Sequence, residues 1–422
     1  MMTVSDGDKT VGGPQIVDHE AICAERIATG EMTLTENGKA YVEGNDNLDE
    51  AAKFLREHNY THEHLSEILQ DTQLNRKILR KIDWTLMPLL CITFFLQYID
   101  KLALNYSAVF DLFENTGISQ NQYSWLASIF YFAYLTCEWP SSYLAQRLPT
   151  ATVISTFVLS WGCILLITAS SSNFLGLAIC RFLLGAFESI ITPTFMMIVS
   201  TWYVKTEQPA RSGAFYCFNG FGAMIGAILF YAVGYVKTFP VWKTIFLICG
   251  AVTILWGLVL LYYLPNTIMS AKRFTVDEKA LLIARSQTNR TAVLNRKVKT
   301  KQIWEALTDS QVWLLFFFTV LNEMINGGFA NFGQLILKGV AGNDSLLTTA
   351  YGIPQGAFQV VFVFSGPWLS TRFKNIRTFI MIAYLLPTIT GISLLWHLPR
   401  SNVVGCLMGY YIVSLSQRNT RA

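Results

Sequence analysis

Ten apolar stretches, each long enough to cross the roughly 30 Å hydrocarbon core of a bilayer, follow one another along this chain. The bilayer core offers the backbone no water to bond, so such stretches become helices that satisfy their own N–H and C=O groups. Only 14% of the 422 residues are charged, against about 25% in an ordinary soluble domain. The pattern therefore predicts an all-α membrane protein. The predicted spans lie near residues 86–110, 122–145, 151–172, 174–202, 209–235, 243–264, 311–335, 347–370, 377–397 and 401–417.

One long basic break divides the spans into six and four. Residues 265–310 are rich in Lys and Arg and hold no span. The predicted organisation is a polar tail at 1–80, a six-helix bundle at 81–264, the basic loop at 265–310 and about four helices at 311–422. Within the tail, residues 1–50 have the composition of a disordered segment, and the apolar pattern of residues 61–84 indicates an amphipathic helix that approaches the membrane.

The distribution of basic residues between the spans predicts the orientation of the chain. If the amino terminus is cytosolic, the inside connections carry more Lys and Arg than the outside ones, which is the usual bias. The first 80 residues or so contain no early apolar run, so we expect the first span to act as the targeting signal. The sequence thus predicts a multi-pass protein with a cytosolic amino terminus.

Other classes of function find little support in the composition. The eight cysteines include no C-x-x-C pair, and most lie in apolar spans, as small core residues do. The spans contain no cluster of His ligands, so we expect no metal site, no cofactor and no enzymatic activity. A net charge of +4 gives no indication of nucleic-acid binding.

Six ionisable side chains lie well inside the spans, where a charge costs roughly 2.5–3.5 kcal/mol on insertion scales. Four acids accompany two bases, so the six cannot all be paired with one another. An acid without a cation beside it can take up a proton on one side of the membrane and release it on the other, and a free cation attracts an anion. The alternative is an inert set whose acids and bases neutralise each other. The six are Asp100, Lys101, Glu138, Arg181, Glu188 and Glu323.

Arg181 and Glu188 are the most informative of these. Their spacing of seven residues is about two helical turns, which places both on one side of the helix about 10 Å apart. The planar guanidinium of Arg181 suits a carboxylate, although a structural tie to Glu138 or another acid is nearly as plausible.

Uncharged polar residues in the spans extend the candidate site. Each of them is more often a hydrogen-bonding link between helices than a ligand. Gly222 and Gly226 form a small-residue pair that predicts close helix packing, with a hinge as the alternative. The polar candidates are Asn105, Asn219, Asn322, Asn326, Gln334, Gln355 and Gln359.

Four segments together resemble the fungal allantoate permease group, the anion:cation symporter branch of the major facilitator superfamily. The similarity covers residues 75–415, and the combination is specific although no single segment is. The segments are Arg80-Lys-Ile-Asp-Trp-Thr-Leu-Met-Pro-Leu-Leu with Tyr98-Ile-Asp-Lys and Asn105, Glu138-Trp-Pro-Ser-Ser-Tyr-Leu, Arg181-Phe-Leu-Leu-Gly-Ala-Phe-Glu with Pro193 and Ser200-Thr-Trp-Tyr, and Gly366-Pro-Trp-Leu-Ser-Thr-Arg-Phe.

The resemblance implies a twelve-helix fold of two halves that works by alternating access, in the plasma membrane and as a monomer. It implies proton-driven symport of a small organic anion such as allantoate, nicotinate, pantothenate or biotin, so the partners are a carboxylate substrate, protons and lipid. The residues and their implied roles fall into two groups. Substrate binding is assigned to Lys101, Asn105, Arg181, Asn219, Asn322, Asn326 and Gln355, and proton coupling to Asp100, Glu138, Glu188 and Glu323.

The sequence departs from the family pattern in four places, one of which is the degenerate loop Ala145-Gln-Arg-Leu after the second span. Lys101 stands where Arg is usual, and Thr371 stands where an acid is common. The family pattern continues past Tyr411 through two further helices, so a truncated product with an incomplete carboxyl-terminal half is expected. A non-transporting membrane sensor or an inactive truncated transporter is therefore the rival hypothesis.

Overall fold

The computed structural model describes residues 32–34, 40–42, 54–55, 58, 60, 71–236, 238–288, 300–372, 377–399 and 402–416. The chain divides into two compact units between His58 and Asn59. In the first unit, strands β1 (Met32–Leu34) and β2 (Ala40–Val42) pair antiparallel, with Thr33 opposite Tyr41. Most of the predicted disordered segment, residues 61–70 of the amphipathic stretch and residues 289–299 of the basic loop lie outside the described residues.

The second unit is helical, and a helix occupies each of the ten predicted spans. The fourth span is divided between two helices, and short helices lie in the connections. In chain order the helices are α1 (Thr72–Val109), α2 (Leu112–Thr116), α3 (Gln120–Arg147), α4 (Thr150–Ser170), α5 (Phe174–Glu188), α6 (Ile191–Trp202), α7 (Gln208–Val233), α8 (Val241–Tyr263), α9 (Val276–Thr288), α10 (Thr300–Thr308), α11 (Ser310–Val340), α12 (Ser345–Arg372), α13 (Arg377–His397) and α14 (Val403–Ser416).

Seven candidate membrane spans in the described part of the chain are long and apolar enough to cross a bilayer. They are α1 from Gln73, α4, α5 with α6, α7, α8, α11, and α12 as far as Val363. The amphipathic approach to the membrane is not a separate element where it is described, because α1 runs without a break from Thr72 through the whole first span. The all-α fold predicted for the membrane-spanning part of the chain is confirmed.

Local sequence signals set where these helices begin. Asp71 accepts hydrogen bonds from the backbone N–H groups of Gln73 and Leu74 at the start of α1. Ser119 and Gln122 form a reciprocal capping box at the start of α3. Such side chains satisfy backbone donors that have no partner within the helix, which fixes the first turn.

The fourth predicted span is confirmed as one candidate span, with a kink in the middle. Helix α5 ends at Glu188 and α6 begins at Ile191, and the two residues between them keep helical backbone angles. Pro193 in the first turn of α6 has no N–H to donate, and its ring clashes with the carbonyl four residues earlier, at Ser189. The kink places Glu188 at the bend of the helix.

Helices of the two sequence halves pack most extensively through α7 and α12, while α4 packs on α8 and α3 on α5 within the first six spans. The predicted close approach at Gly222 is confirmed, since a Cβ there would lie 2.9 Å from the carbonyl oxygen of Phe95. Small residues thus bring α7 against α1 as well as against α12.

Two hydrogen bonds link the sequence halves at one end of the bundle. At the end that carries Val109, named here the closed end, Lys338 Nζ and Ser345 Oγ both donate to the carbonyl oxygen of Val109, at 2.6 and 2.8 Å. At the opposite end, named here the open end, α1 and α7 of the first half line a groove of about 670 Å³ whose wall includes Trp84 and Arg211.

Candidate functional site

The centre of the candidate site is the pair formed by Lys101 of α1 and Glu188 of α5. The Lys101 ammonium lies 3.7 Å from Glu188 Oε2. Glu188 is completely buried, whereas the side chain of Lys101 retains 29% of its exposure. An acid enclosed by protein therefore lies beside a partly exposed cation.

Uncharged neighbours surround this pair and orient it. The Gln97 amide nitrogen donates to the backbone carbonyl of Glu188 at 3.4 Å. The ring of Tyr134 lies under the Lys101 ammonium, 5.4 Å from nitrogen to ring centroid, where its negative face attracts the cation. The Tyr134 hydroxyl is in turn 3.4 Å from that of Thr192. Side chains from α1, α3, α5 and α6 thus build one wall.

Gln97 and Tyr134 were missed by the sequence analysis. A signal for Gln97 was present, because it precedes Lys101 by four residues and so lies on the same side of α1. Tyr134 gave no such signal, since only the packing of α3 places it there.

Asp100 adjoins Lys101 in sequence but points elsewhere. Successive residues on a helix are about 100° apart, and Asp100 lies against α8, where Thr253 Oγ1 donates to Asp100 Oδ2 at 3.0 Å. Asp100 is only 1% exposed. Its carboxylate therefore belongs to the interior of the first six spans, away from the exposed side of Lys101.

Arg181 also lies inside the bundle. It is 4% exposed, and its guanidinium carbon is 5.4 Å from the centroid of the Phe246 ring. Within the described residues its Nη2 atom has no hydrogen-bond partner. The role of Arg181 as a substrate ligand stays a prediction.

The remaining acids lie apart from the Lys101–Glu188 pair in sequence and in exposure. Glu138 is half-buried on α3, one helical turn beyond Tyr134. Glu323, also half-buried, accepts a hydrogen bond at 2.8 Å from Asn326, so these two predicted site residues contact each other on α11. Proton coupling through Glu138 or Glu323 stays a prediction.

Several polar candidates link helices instead of lining open space. Asn105 Nδ2 donates to the carbonyl oxygen of Ala330 at 2.8 Å, which joins α1 to α11. Gln355 accepts from the Tyr410 hydroxyl at 2.9 Å. Asn219 is 5% exposed within α7, and the side chain of Asn322 lies outside the described part of the chain.

With this geometry established, comparison with known proteins decides the family. A family model described as Major Facilitator Superfamily matches residues 90–417. The chain belongs to the Major Facilitator Superfamily. It is a multi-pass membrane protein, and its family is one of transporters and not of enzymes.

Fungal permeases are similar to this chain over most of its length. An uncharacterized transporter of Schizosaccharomyces pombe is 31% identical over 380 residues, covering 90% of this chain and 70% of that protein. A second one is 34% identical, covering 80% of this chain and 64% of the relative. The allantoate permease of Saccharomyces cerevisiae is 31% identical, covering 82% and 63%. The chain thus spans 63–70% of the length of these relatives.

Solved structures agree on the fold. A bacterial homolog of the human lysosomal transporter Spinster, in an inward-facing and occupied conformation, aligns with a TM-score of 0.59 at 16% identity, covering 79% of this chain and 72% of that one. A D-xylose-proton symporter aligns with a TM-score of 0.54 at 12% identity, covering 80% and 81%. At this level of identity the alignments establish the fold alone.

Proposed function

We propose that this protein is a secondary active transporter that moves a small organic anion together with a proton. The observation that carries the proposal is the Lys101–Glu188 pair, in which a buried acid adjoins a partly exposed cation at 3.7 Å. The 31% identity to an allantoate permease supports a carboxylate of that kind as the substrate.

The two charges account for coupling by their sum. The empty Lys101–Glu188 pair holds one positive and one negative charge and is neutral by itself. A proton on Glu188 frees the Lys101 ammonium for a carboxylate, and the loaded site is neutral again. A proton alone leaves an excess positive charge and an anion alone leaves an excess negative one, and an uncompensated charge within a membrane is costly. The empty and fully loaded forms therefore change conformation most readily, which enforces symport.

Lys101 suits this role because it must exchange partners. An ammonium is a compact charge on a flexible stem, whereas a guanidinium forms a rigid fork. At 3.7 Å the Lys101–Glu188 contact is longer than a charge-assisted hydrogen bond of about 2.7–2.9 Å. A substrate carboxylate can therefore replace Glu188 in the ion pair with Lys101.

The proposal extends to location and assembly. The excess of basic residues in the connections at the open end supports a cytosolic amino terminus, which makes the closed end extracellular. We propose the plasma membrane as the site of action and a monomer as the working unit, because one chain supplies both charges of the pair.

The direct test is uptake of radiolabelled allantoate, nicotinate, pantothenate and biotin by cells that express the chain, with and without an inward proton gradient. We expect one of these carboxylates to accumulate only with the gradient, and Glu188→Gln to abolish this gradient-driven accumulation. Glu114→Gln, at an exposed acid of α2, is the matched control and should behave as wild type. Absence of uptake of all four compounds, or gradient dependence that survives Glu188→Gln, would contradict the proposal.

A further inference from the structure

Four buried polar side chains form a continuous hydrogen-bonded chain on the closed-end side of the bundle. Gln334 Nε2 donates to the Tyr106 hydroxyl at 3.0 Å and to the Tyr410 hydroxyl at 3.3 Å. The Tyr410 hydroxyl donates to Gln355 Oε1 at 2.9 Å. The four residues are between 1% and 9% exposed. We name this group, Tyr106, Gln334, Gln355 and Tyr410, the latch.

The latch joins the two halves of the sequence. Tyr106 belongs to α1, where its ring packs on Phe230 of α7 at 5.0 Å. The other three members belong to α11, α12 and α14. Gln334 is the member that contacts both sides, so separation of the halves at this end breaks its bond to Tyr106.

The latch leaves no room for a side chain at Gly352. A Cβ on Gly352 of α12 would lie 2.5 Å from the Tyr106 hydroxyl oxygen and 2.9 Å from Gln334 Nε2. Real Cβ atoms essentially never approach that closely. The missing side chain at Gly352 is thus what lets α12 close over the Tyr106–Gln334 bond.

One hydrogen-bond acceptor of the latch is left unsatisfied. Gln334 Oε1 is buried and, among the described residues, accepts no hydrogen bond. A buried acceptor without a donor disfavours the closed arrangement, so the closed state is held by a set of bonds that is incomplete. Such a contact can open and close within a transport cycle, whereas a fully satisfied core does not readily separate.

We propose that Gln334 is a positioning residue of the transport cycle, which holds the closed end shut through Tyr106 and Tyr410 while Gly352 leaves room for the contact. The inference rests on the proposed function, because a releasable contact between the halves matters only to a protein that exposes its site alternately. In the cycle the latch breaks when the closed end opens and the open end closes.

The experiment uses double electron–electron resonance to measure distances between spin labels at the closed end and at the open end of the bundle. The sample is the purified full chain without substrate. Labels carried on non-native amino acids replace the exposed residues Glu114 and Val404 at the closed end, and Leu148 and Leu314 at the open end. Gln334→Leu removes the bonds and keeps the bulk, and Gly352→Ala inserts a methyl group into the contact. Gly328→Ala on α11 is the control, because a Cβ there meets nothing within 4 Å.

We expect both latch variants to gain a population with a longer closed-end distance and a shorter open-end distance, and the control to keep the wild-type distances. General damage to the fold would broaden both distributions and would not shorten the open-end distance. Wild-type distances in both latch variants, broadening without shortening, or an equal shift in Gly328→Ala would overturn the inference.

These outcomes separate the latch from the transport proposal. A distance change in a protein that takes up no carboxylate would refute the proposed substrate and support the latch. Proton-driven uptake in a protein whose distances do not respond to Gln334→Leu would support the transport proposal and refute the latch.

Discussion

Ion pairs inside the bundle and ion pairs at its open end differ in how closely their charges meet. At the open end Arg285 Nη2 lies 2.7 Å from Glu207, Lys81 Nζ lies 2.6 Å from Glu278, and both contacts are hydrogen bonds. Inside the bundle the Lys101 ammonium is 3.7 Å from Glu188. The close pairs fasten α9 to its neighbours, whereas the longer pair is the one that can exchange partners.

This difference separates structural charges from exchangeable ones. Arg285 also donates to the backbone carbonyl of Asn75 at 3.3 Å, so one side chain holds α9, α1 and the α6–α7 connection together. Glu188 has no comparable set of donors, and within the described residues neither of its carboxylate oxygens has a hydrogen bond. A site that must take up and release a proton benefits from that weaker hold.

The largest expected effect is the loss of the cation inside the bundle. Truncating one partner of a buried charge pair costs about 2–5 kcal/mol of binding free energy, and the partial exposure of Lys101 sets the expected loss of carboxylate binding at about 2 kcal/mol, or roughly 30-fold. Lys101→Met should therefore lower uptake of the carboxylate at low concentration about 30-fold. Lys243→Met, at a lysine packed on Trp242 outside the site, is the control. Equal uptake by Lys101→Met and wild type would remove Lys101 from the site.

Breaking a close pair should lower the stability of the protein without changing its transport. Arg285→Met leaves Glu207 without its bidentate partner and should lower the thermal midpoint of unfolding by a few degrees, with the carboxylate KM unchanged. The expected loss is about 2 kcal/mol, because the pair is largely but not fully buried. Lys272→Met, at an exposed lysine between α8 and α9, should change neither the midpoint nor the KM. A raised KM with an unchanged midpoint would show that Arg285 acts in transport and not in stability, against this account.

The smallest effect concerns the pH dependence of the α9 attachment. Burial by itself would raise the pKa of Glu278, but hydrogen bonds from Lys81 and the Thr275 backbone outweigh it and lower that pKa below its usual value. A lowered folded-state pKa contributes stability that is present above the unfolded pKa of about 4.3 and is lost as the pH falls through the folded value.

Hydrogen exchange of the α9 amides, corrected for the intrinsic rate at each pH, measures this contribution. Protection should weaken as the pH falls below about 4.3, and Glu278→Gln should remove this weakening and show lower protection at neutral pH. The same acid-induced weakening in the variant would assign it to another group.

The sequence predicted the positions of the helices well, because the length and apolarity of a span are local properties. It also identified Lys101 and Glu188 as members of one charged set. It did not predict that Asp100 contacts Thr253 while Lys101 contacts Glu188. Helical periodicity shows that consecutive side chains point in different directions, but it does not show which residues of other helices they contact. The same limit applies to Asn105 and Gln334, whose partners on other helices are set by packing between the halves.

The kink after Glu188 illustrates a different limit. A proline permits a kink in a helix, but Pro193 does not tell from the sequence how far the helix bends or what lies at the bend. That depends on how α5 and α6 pack against α3, and it places Glu188 beside Lys101.

Proton uptake on substrate binding tests the central claim most directly. Titration calorimetry of the purified protein with the carboxylate that the uptake panel identifies, in two buffers of different ionisation enthalpy, gives the number of protons taken up per anion bound. At a pH where empty Glu188 is ionised, wild type should take up close to one proton per anion, and Glu188→Gln should bind the anion with almost none. Anion binding by wild type without proton uptake, or proton uptake that persists in Glu188→Gln, would contradict the account.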